Sequence, residues 1–169
     1  MISPDHARLM ARYNRWQNES LYGAADTLSA QERLKDRGAF FRSIHETLSH
    51  ILWADRIWLS RFGCCEAPAC KGHETLKLWP DWDVLKADRT AMDDVISAWA
   101  NGFDSAALQA DLTWHSGAAG RDMSKPVWEL VTHIFNHETH HRGQVHAMLT
   151  AAGVRPGDTD LFLMSPPAP

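Results

Sequence analysis

The run from Thr132 to His146 carries five of the ten histidines of the chain, at spacings that suit metal binding. His137 and His141 are four positions apart, so on a helix their imidazoles stand one above the other on the same face. Two imidazoles arranged in this way can bind one divalent ion. The spacing therefore predicts part of a metal site, contributed by a single helix.

The direction of this histidine pair distinguishes a metal site from a solvated, histidine-rich helix face. The pair falls within an apolar stripe at helical spacing, formed by Val127, Leu130, Ile134, Val145, Met148 and Leu149. An unpaired imidazole in an apolar stripe carries a desolvation cost, and one shared ion would satisfy both rings. We therefore favour the metal site over the solvated face.

A catalytic metal usually has three protein ligands and one open position, so we expect a third ligand from a facing helix. The segment 43–62 offers His45 and His50. At about 100° per residue, His50 is in phase with the apolar flank of its helix, whereas His45 lies roughly 140° away. We therefore expect His50, His137 and His141 to be the metal ligands. The alternative for His50 is a core histidine that is hydrogen-bonded to protein.

The other histidines of the last run differ from the ligand pair in position. His133 and His140 fall on one flank of the apolar stripe, so we expect them to support the site or an interface rather than to bind the ion. His146 falls beyond the other flank and is expected to be exposed to solvent. Gln144 lies at the edge of the stripe, where its amide could orient an imidazole by a hydrogen bond.

The segment 137–141, His-Glu-Thr-His-His, also satisfies the H-E-x-x-H signature of zinc proteases, in which the glutamate is the general base. The extended protease signature requires a glycine and a histidine where this chain has Gln144 and Ala147. The overlapping E-x-x-H motif of di-iron bundles lacks its second copy. A zincin-like metallohydrolase with Glu138 as base therefore remains as a third hypothesis.

Composition limits the classes of protein to which the chain can belong. Its 169 residues are 44% hydrophobic and 22% charged, with a formal net charge of −4, which is typical of one globular domain and argues against a nucleic-acid binder. The sequence has no apolar signal segment and no stretch long enough to span a membrane. We expect a soluble, cytoplasmic protein without membrane or nucleic-acid partners.

The cysteine and tryptophan residues lead to two further predictions, one on thiol state and one on oligomeric state. Cys64, Cys65 and Cys70 have neither C-x-x-C nor structural-zinc spacing, so ordinary reduced thiols are expected, and the role of their loop stays open. The chain has eight tryptophans, more than we expect a core of this size to absorb. Exposed apolar surface usually marks an interface, so we predict a homodimer.

Helical periodicity predicts four long helices, at about 4–28, 43–62, 82–100 and 126–152. A long connection at 63–80 follows the second helix, and residues 111–125 could form a small hairpin. These elements predict an all-α fold, a four-helix bundle with one long crossover connection, as a single domain over residues 1–169.

The chain resembles the DinB-like (DinB/YfiT-like) family of metal-binding helical bundles over nearly its whole length. The similarity lies in four segments: Tyr13 to Asn18, Ser43 to Trp58, the weaker match Trp114 to Gly117, and the specific match Asn136 to Gln144. The resemblance implies a four-helix bundle, often dimeric, with one metal-binding histidine from the second helix and two from the last. In this chain these are His50, His137 and His141. It also implies that Glu138 is not catalytic.

Some members of that family use low-molecular-weight thiols, as S-transferases or isomerases. We therefore expect a metal-dependent thiol S-transferase-like enzyme, in which a thiol at the open position of the metal becomes a thiolate and attacks an electrophile. The alternative is a non-catalytic, metal-binding stress-response protein in which the ion links two helices. Three imidazoles suit zinc, nickel, copper or iron, and the substrate stays open.

Overall fold

The computed structural model describes residues 2–71, 73–117 and 119–165. These residues form six α-helices, two short 3-10 helices at Thr75–Lys77 and Leu161–Leu163, and one two-stranded sheet. The α-helices are α1 Pro4–Asp26, α2 Ala30–Leu34, α3 Ile44–Arg61, α4 Trp82–Asn101, α5 Ser105–Gln109 and α6 Val127–Ala151. Within the described ranges, no helix combines the length and the apolar character needed to cross a bilayer.

Local sequence signals explain where the long helices begin and end. The side chains of Ser3, Ser43 and Asp81 each accept a hydrogen bond from a backbone N–H in the first turn of α1, α3 and α4, respectively. Gly63 and Gly153 follow the ends of α3 and α6 with φ of +75° and +82°, a conformation that glycine adopts at little cost. The four long helices therefore agree with the predicted ranges to within two residues at each end.

The long helices contact one another in a ring. α1 packs against α4 and α6, and α3 packs against the same two helices. The core between the helices is apolar and includes the fully buried residues Leu21, Ile44, Leu48, Ile51, Leu52, Leu59, Leu85, Ile96, Ile134 and Leu149. The mostly helical structure confirms the broad fold prediction.

A two-stranded antiparallel hairpin departs from the all-α prediction and agrees with the hairpin suggested at 111–125. Its strands are β1 Asp111–Ser116 and β2 Arg121–Pro126, with Trp114 opposite Met123. Strand β2 runs directly into α6. The hairpin also contacts α3, because the rings of Trp114 and Trp58 lie 5.4 Å apart.

Residues 63–80 connect α3 to α4 and are held to α3 by hydrogen bonds. The indole N–H of Trp53 donates to the carbonyl of Cys70 at 2.8 Å. A second bond of 2.8 Å joins Nε2 of His45 to the carbonyl of Trp79, whose own side chain is fully buried. The connection therefore packs along α3, next to the segment that carries His50.

Candidate metal centre

The three histidines predicted as ligands lie together between α3 and α6. His50 lies on α3, and His137 and His141 lie one turn apart on α6. One nitrogen from each ring can be chosen so that all three lie within 4.8 Å of one another. Nitrogen ligands at about 2.0–2.1 Å from a tetrahedral zinc ion are roughly 3.4 Å apart, so small rotations of the rings reach ligand distance. The three residues could therefore hold a metal ion.

Burial keeps the two α6 imidazoles in the form that binds metal. His50 and His141 are buried, and His137 is half-buried. Burial, together with the neighbouring rings of His141 and His133, lowers the pKa of His137 to about 4. Burial also lowers the pKa of His141, although its hydrogen bond to Gln144 acts in the opposite direction. A histidine must be neutral to bind a metal, so both rings are ready at neutral pH.

Gln144 fixes the orientation of His141. Nδ1 of His141 lies 2.9 Å from Oε1 of Gln144, an atom that can only accept, so Nδ1 carries the proton and donates. That leaves Nε2 of His141 for a metal. The amide nitrogen of Gln144 lies 3.2 Å from Nε2 of His140 and donates to it. His140 therefore acts on the site through Gln144, which agrees with the supporting role predicted for both residues.

Aromatic rings surround the histidines. Phe41 stacks on His50 with ring centroids 3.8 Å apart, and Trp53 lies against His50 at 5.8 Å. On the side of His137, the ring of His133 lies 6.0 Å away and packs against Trp58. His50 is only 8% exposed beneath these rings, and electrostatic interactions are stronger where water is excluded. The sequence analysis did not find Phe41, because it lies outside any periodic segment.

Two other histidines test the sequence predictions. His45 was not expected to be a ligand, and it is buried away from the triad, bonded to the Trp79 carbonyl and packed edge-on against Trp82. His146 was expected to be exposed but is half-buried. It borders a cavity of about 340 Å³ that Tyr13 of α1 also lines. The helix-wheel prediction failed for His146 because α1 covers that flank of α6.

A buried network of charges ties the long helices together next to the site. Arg89 of α4 is 3% exposed and forms ion pairs with Asp55 of α3 and, at 2.9 Å, with Asp93 of its own helix. Asn18 of α1 donates to Asp93 at 2.9 Å. The sequence analysis missed this network, because each member taken alone reads as an ordinary polar residue of a helix surface.

Glu138 belongs to a second part of the same network and is fully buried. Its carboxyl group accepts from Arg142 at 3.4 Å, and Arg142 also donates to Asn14 of α1. Burial raises the pKa of Glu138, and the neighbouring carboxylate of Asp55, which is hydrogen-bonded to Glu138, raises it further. A protease base must reach a water molecule on the metal. Glu138 instead lies among core side chains, so this placement argues against the hydrolase hypothesis.

The three cysteines do not join the histidines. Within the described residues they are free thiols, and Cys65 is bonded through sulfur to the carbonyl of Arg56 at 3.6 Å. Burial raises the pKa of all three thiols. A thiol with a raised pKa holds its proton at neutral pH and is a weak nucleophile. The chain's own thiols are therefore poorly suited to nucleophilic catalysis.

Comparison with known proteins agrees with the resemblance seen in the sequence. The profile of the DinB family matches residues 3–167. The chain is also similar to "Protein DinB" of Bacillus subtilis (strain 168), with 27% identity over 165 residues, which cover 94% of this chain and 93% of that protein. The match to the family spans the helices that carry all three histidines and the buried network. The chain belongs to the DinB family.

Proposed function

We propose that this protein is a divalent-metal-dependent enzyme that activates a low-molecular-weight thiol, with His50, His137 and His141 as the metal ligands. The observation that carries the proposal is the convergence of three ring nitrogens within 4.8 Å, from two helices. The donor set fits a divalent ion, because three neutral imidazoles are typical ligands of zinc, nickel or iron and leave an open position. An ion bound there would lower the pKa of a thiol at that position.

The surrounding residues have distinct roles in this proposal. Gln144 holds the His141 ring so that Nε2 points away from the hydrogen-bonded edge. Phe41 and Trp53 cover the ring of His50 and exclude water. Burial raises the pKa of each cysteine thiol, and none of the three belongs to the histidine cluster. This supports a thiol that comes from solution as the substrate.

A second candidate function is a non-catalytic metal-binding protein, in which the ion links two helices. One observation favours it: the ligands come from α3 and α6, so an ion held by all three would cross-link those helices. A structural site and a catalytic site differ in what chelation does. Removal of the ion should lower the melting temperature strongly if the site is structural.

Metal content of the purified variants tests the ligand set. We expect each single change His50→Ala, His137→Ala and His141→Ala to abolish binding of one ion per chain, as measured by elemental analysis after dialysis. His146→Ala is the matched control, since it removes a half-buried histidine of the same helix that is not part of the triad. Full metal content in His50→Ala would disprove the proposed ligand set.

Turnover tests the enzymatic part. The metal-loaded protein is incubated with a series of small thiols and an electrophile such as an alkyl halide, and loss of free thiol is followed. We expect turnover that chelation abolishes and metal restores. No turnover with any thiol, combined with a large loss of thermal stability on chelation, would favour the structural role. Hydrolase activity that is lost in Glu138→Gln would support the third hypothesis instead.

A further inference from the structure

A groove lies beside the candidate metal centre, between the turn that precedes α3 and the 3-10 helix Thr75–Lys77. Its volume is about 470 Å³, and Phe40, Phe41 and Arg42 line it on the side of the turn. Cavities of about 300–1,000 Å³ are typical of small-molecule sites. Phe41 also stacks on His50, so one ring borders both the groove and the histidine triad. The groove is therefore a second compartment next to the triad, built from different residues.

The turn that forms one wall of the groove is held in a strained conformation. Arg42 has a φ of +65°, which among the described residues is the one positive value outside glycine. Backbone bonds brace the turn, since Arg42 donates to Ala39 at 2.8 Å and accepts from Arg37 at 2.7 Å. The carboxylate of Asp36 accepts from the N–H of Gly38 and from Nε of Arg42. Strain that is maintained by so many bonds is typical of binding sites.

The side chain that these bonds hold, Arg42, is one of the residues that line the groove. Asp36 accepts a hydrogen bond from Nε of Arg42 at 2.9 Å, so the terminal edge of the guanidinium remains for a ligand. The side chain of Arg42 is 69% exposed. That edge carries two parallel N–H donors, which match the two oxygens of a carboxylate. Arg42 is therefore placed to recognise an anionic group.

The other charged side chains that line the groove include carboxylates, whose charge is opposite to that of Arg42. Glu46 lines the same groove as Arg42, four residues further along the chain. Ser43 donates to Oε2 of Glu46 at 2.8 Å, which leaves Oε1 for a ligand. The other two charges, on Glu74 and Lys77, are paired with each other. The groove is thus lined by one cation, Arg42, and one anion, Glu46, besides the Glu74–Lys77 pair.

The apolar part of the groove completes the pattern. Phe40 is 82% exposed and packs edge-on against Phe41, with ring centroids 4.9 Å apart. An exposed phenylalanine at the tip of a braced turn offers a surface for an apolar group of a ligand. We infer that the groove binds a small zwitterion of the α-amino-acid type with an apolar side chain. Its carboxylate pairs with Arg42, its ammonium group with Glu46, and its side chain packs on Phe40 and Phe41.

Binding in this groove does not use the histidines, so it is measurable whether or not the metal chemistry is as proposed. Isothermal titration calorimetry of the full chain, metal-loaded and after chelation, uses three probes: L-phenylalanine, N-acetyl-L-phenylalanine, which lacks the cation, and L-phenylalaninol, which lacks the anion. We expect L-phenylalanine to bind both forms of the protein. Each of the other two should bind at least about tenfold more weakly, because a charge-assisted hydrogen bond is lost.

Two variants locate the binding. Arg42→Asn removes the cation, and asparagine tolerates the left-handed backbone at this position. Glu46→Gln removes the anion and keeps an amide oxygen that can accept from Ser43. Each should weaken L-phenylalanine binding about tenfold or more. Arg121→Asn, on the exposed face of the hairpin, is the matched control and should leave the affinity unchanged.

Three results would overturn the inference. The first is binding of L-phenylalanine that requires metal and is insensitive to Arg42→Asn, which would mean chelation of the ion by the amino acid. The second is equal affinity for all three probes, and the third is no binding of L-phenylalanine to either form. If Arg42→Asn proves to be unfolded by circular dichroism, Glu46→Gln and the probe series on the unchanged chain decide the matter.

Discussion

Arg89→Met is expected to destabilise the protein strongly. The guanidinium of Arg89 is the partner of two carboxylates, those of Asp55 and Asp93, and all three side chains are at most 5% exposed. Removal of one partner from a buried pair costs about 3–5 kcal/mol, because the remaining charge is left without compensation. Two carboxylates lose their partner here, so we expect a loss near the upper end, about 5 kcal/mol.

Urea denaturation followed by circular dichroism measures the change in free energy of unfolding. Arg15→Met is the control, since Arg15 pairs with Asp94 at the surface, where side-chain exposures are 33% and 69%, and such pairs contribute about 0–1 kcal/mol. Addition of Asp55→Asn and Asp93→Asn to Arg89→Met should restore more than half of the loss, because no uncompensated charge remains. The reasoning is refuted if Arg89→Met loses less than about 1 kcal/mol, or if the triple variant is less stable than the single one.

Three further predictions follow from the site and the surface. Gln144→Ala should weaken metal binding about 10–100-fold without changing the number of ions per chain, since it releases the ring of His141; an unchanged affinity in a competition titration would mean that the hydrogen bond does not orient the ligand. For the metal-free chain, we compare the free energy of unfolding of the unchanged protein with that of His137→Gln. The difference should be constant above pH 6.5 and should fall as the pH drops toward 4. The reason is that His137 has a lower pKa in the folded state, so in this range the unfolded state binds a proton and the folded state does not. The pKa difference corresponds to about 3 kcal/mol, and screening by solvent at the half-buried ring reduces this to about 1–2 kcal/mol. Urea denaturation of both proteins at several pH values measures the difference, and a difference that does not change with pH would contradict the prediction. Finally, sedimentation should show a homodimer at micromolar concentration, with the half-buried rings of Trp16 and Trp128 at the subunit interface. A monomer would contradict this prediction.

The candidate site was largely predictable from the sequence because it depends on local spacing. His137 and His141 share a helix face through the geometry of α6 alone, and His50 follows from its phase within α3. The apolar residues on both helices indicate which face is turned inward. A few short-range rules therefore bring together residues that are far apart in the chain.

The rest of the site depends on tertiary contacts that no local pattern records. Phe41 reaches His50 from a non-helical turn, and the next residue, Arg42, has a positive φ. Asp55, Arg89 and Glu138 occupy inward positions where an apolar residue is the usual expectation, and only their mutual pairing makes that burial tolerable. Sequence periodicity identifies a buried face but not which polar residues on it compensate one another.

The placement of the triad on α3 and α6 has a kinetic consequence. The chain between these helices forms α4, α5 and the hairpin, so His50 cannot meet His137 until a long loop has closed. The entropy cost of closing such a loop comes before the non-local contact stabilises the chain. If the three histidines meet only after the transition state, an ion bound by them would slow the unfolding of the protein and leave its folding rate nearly unchanged.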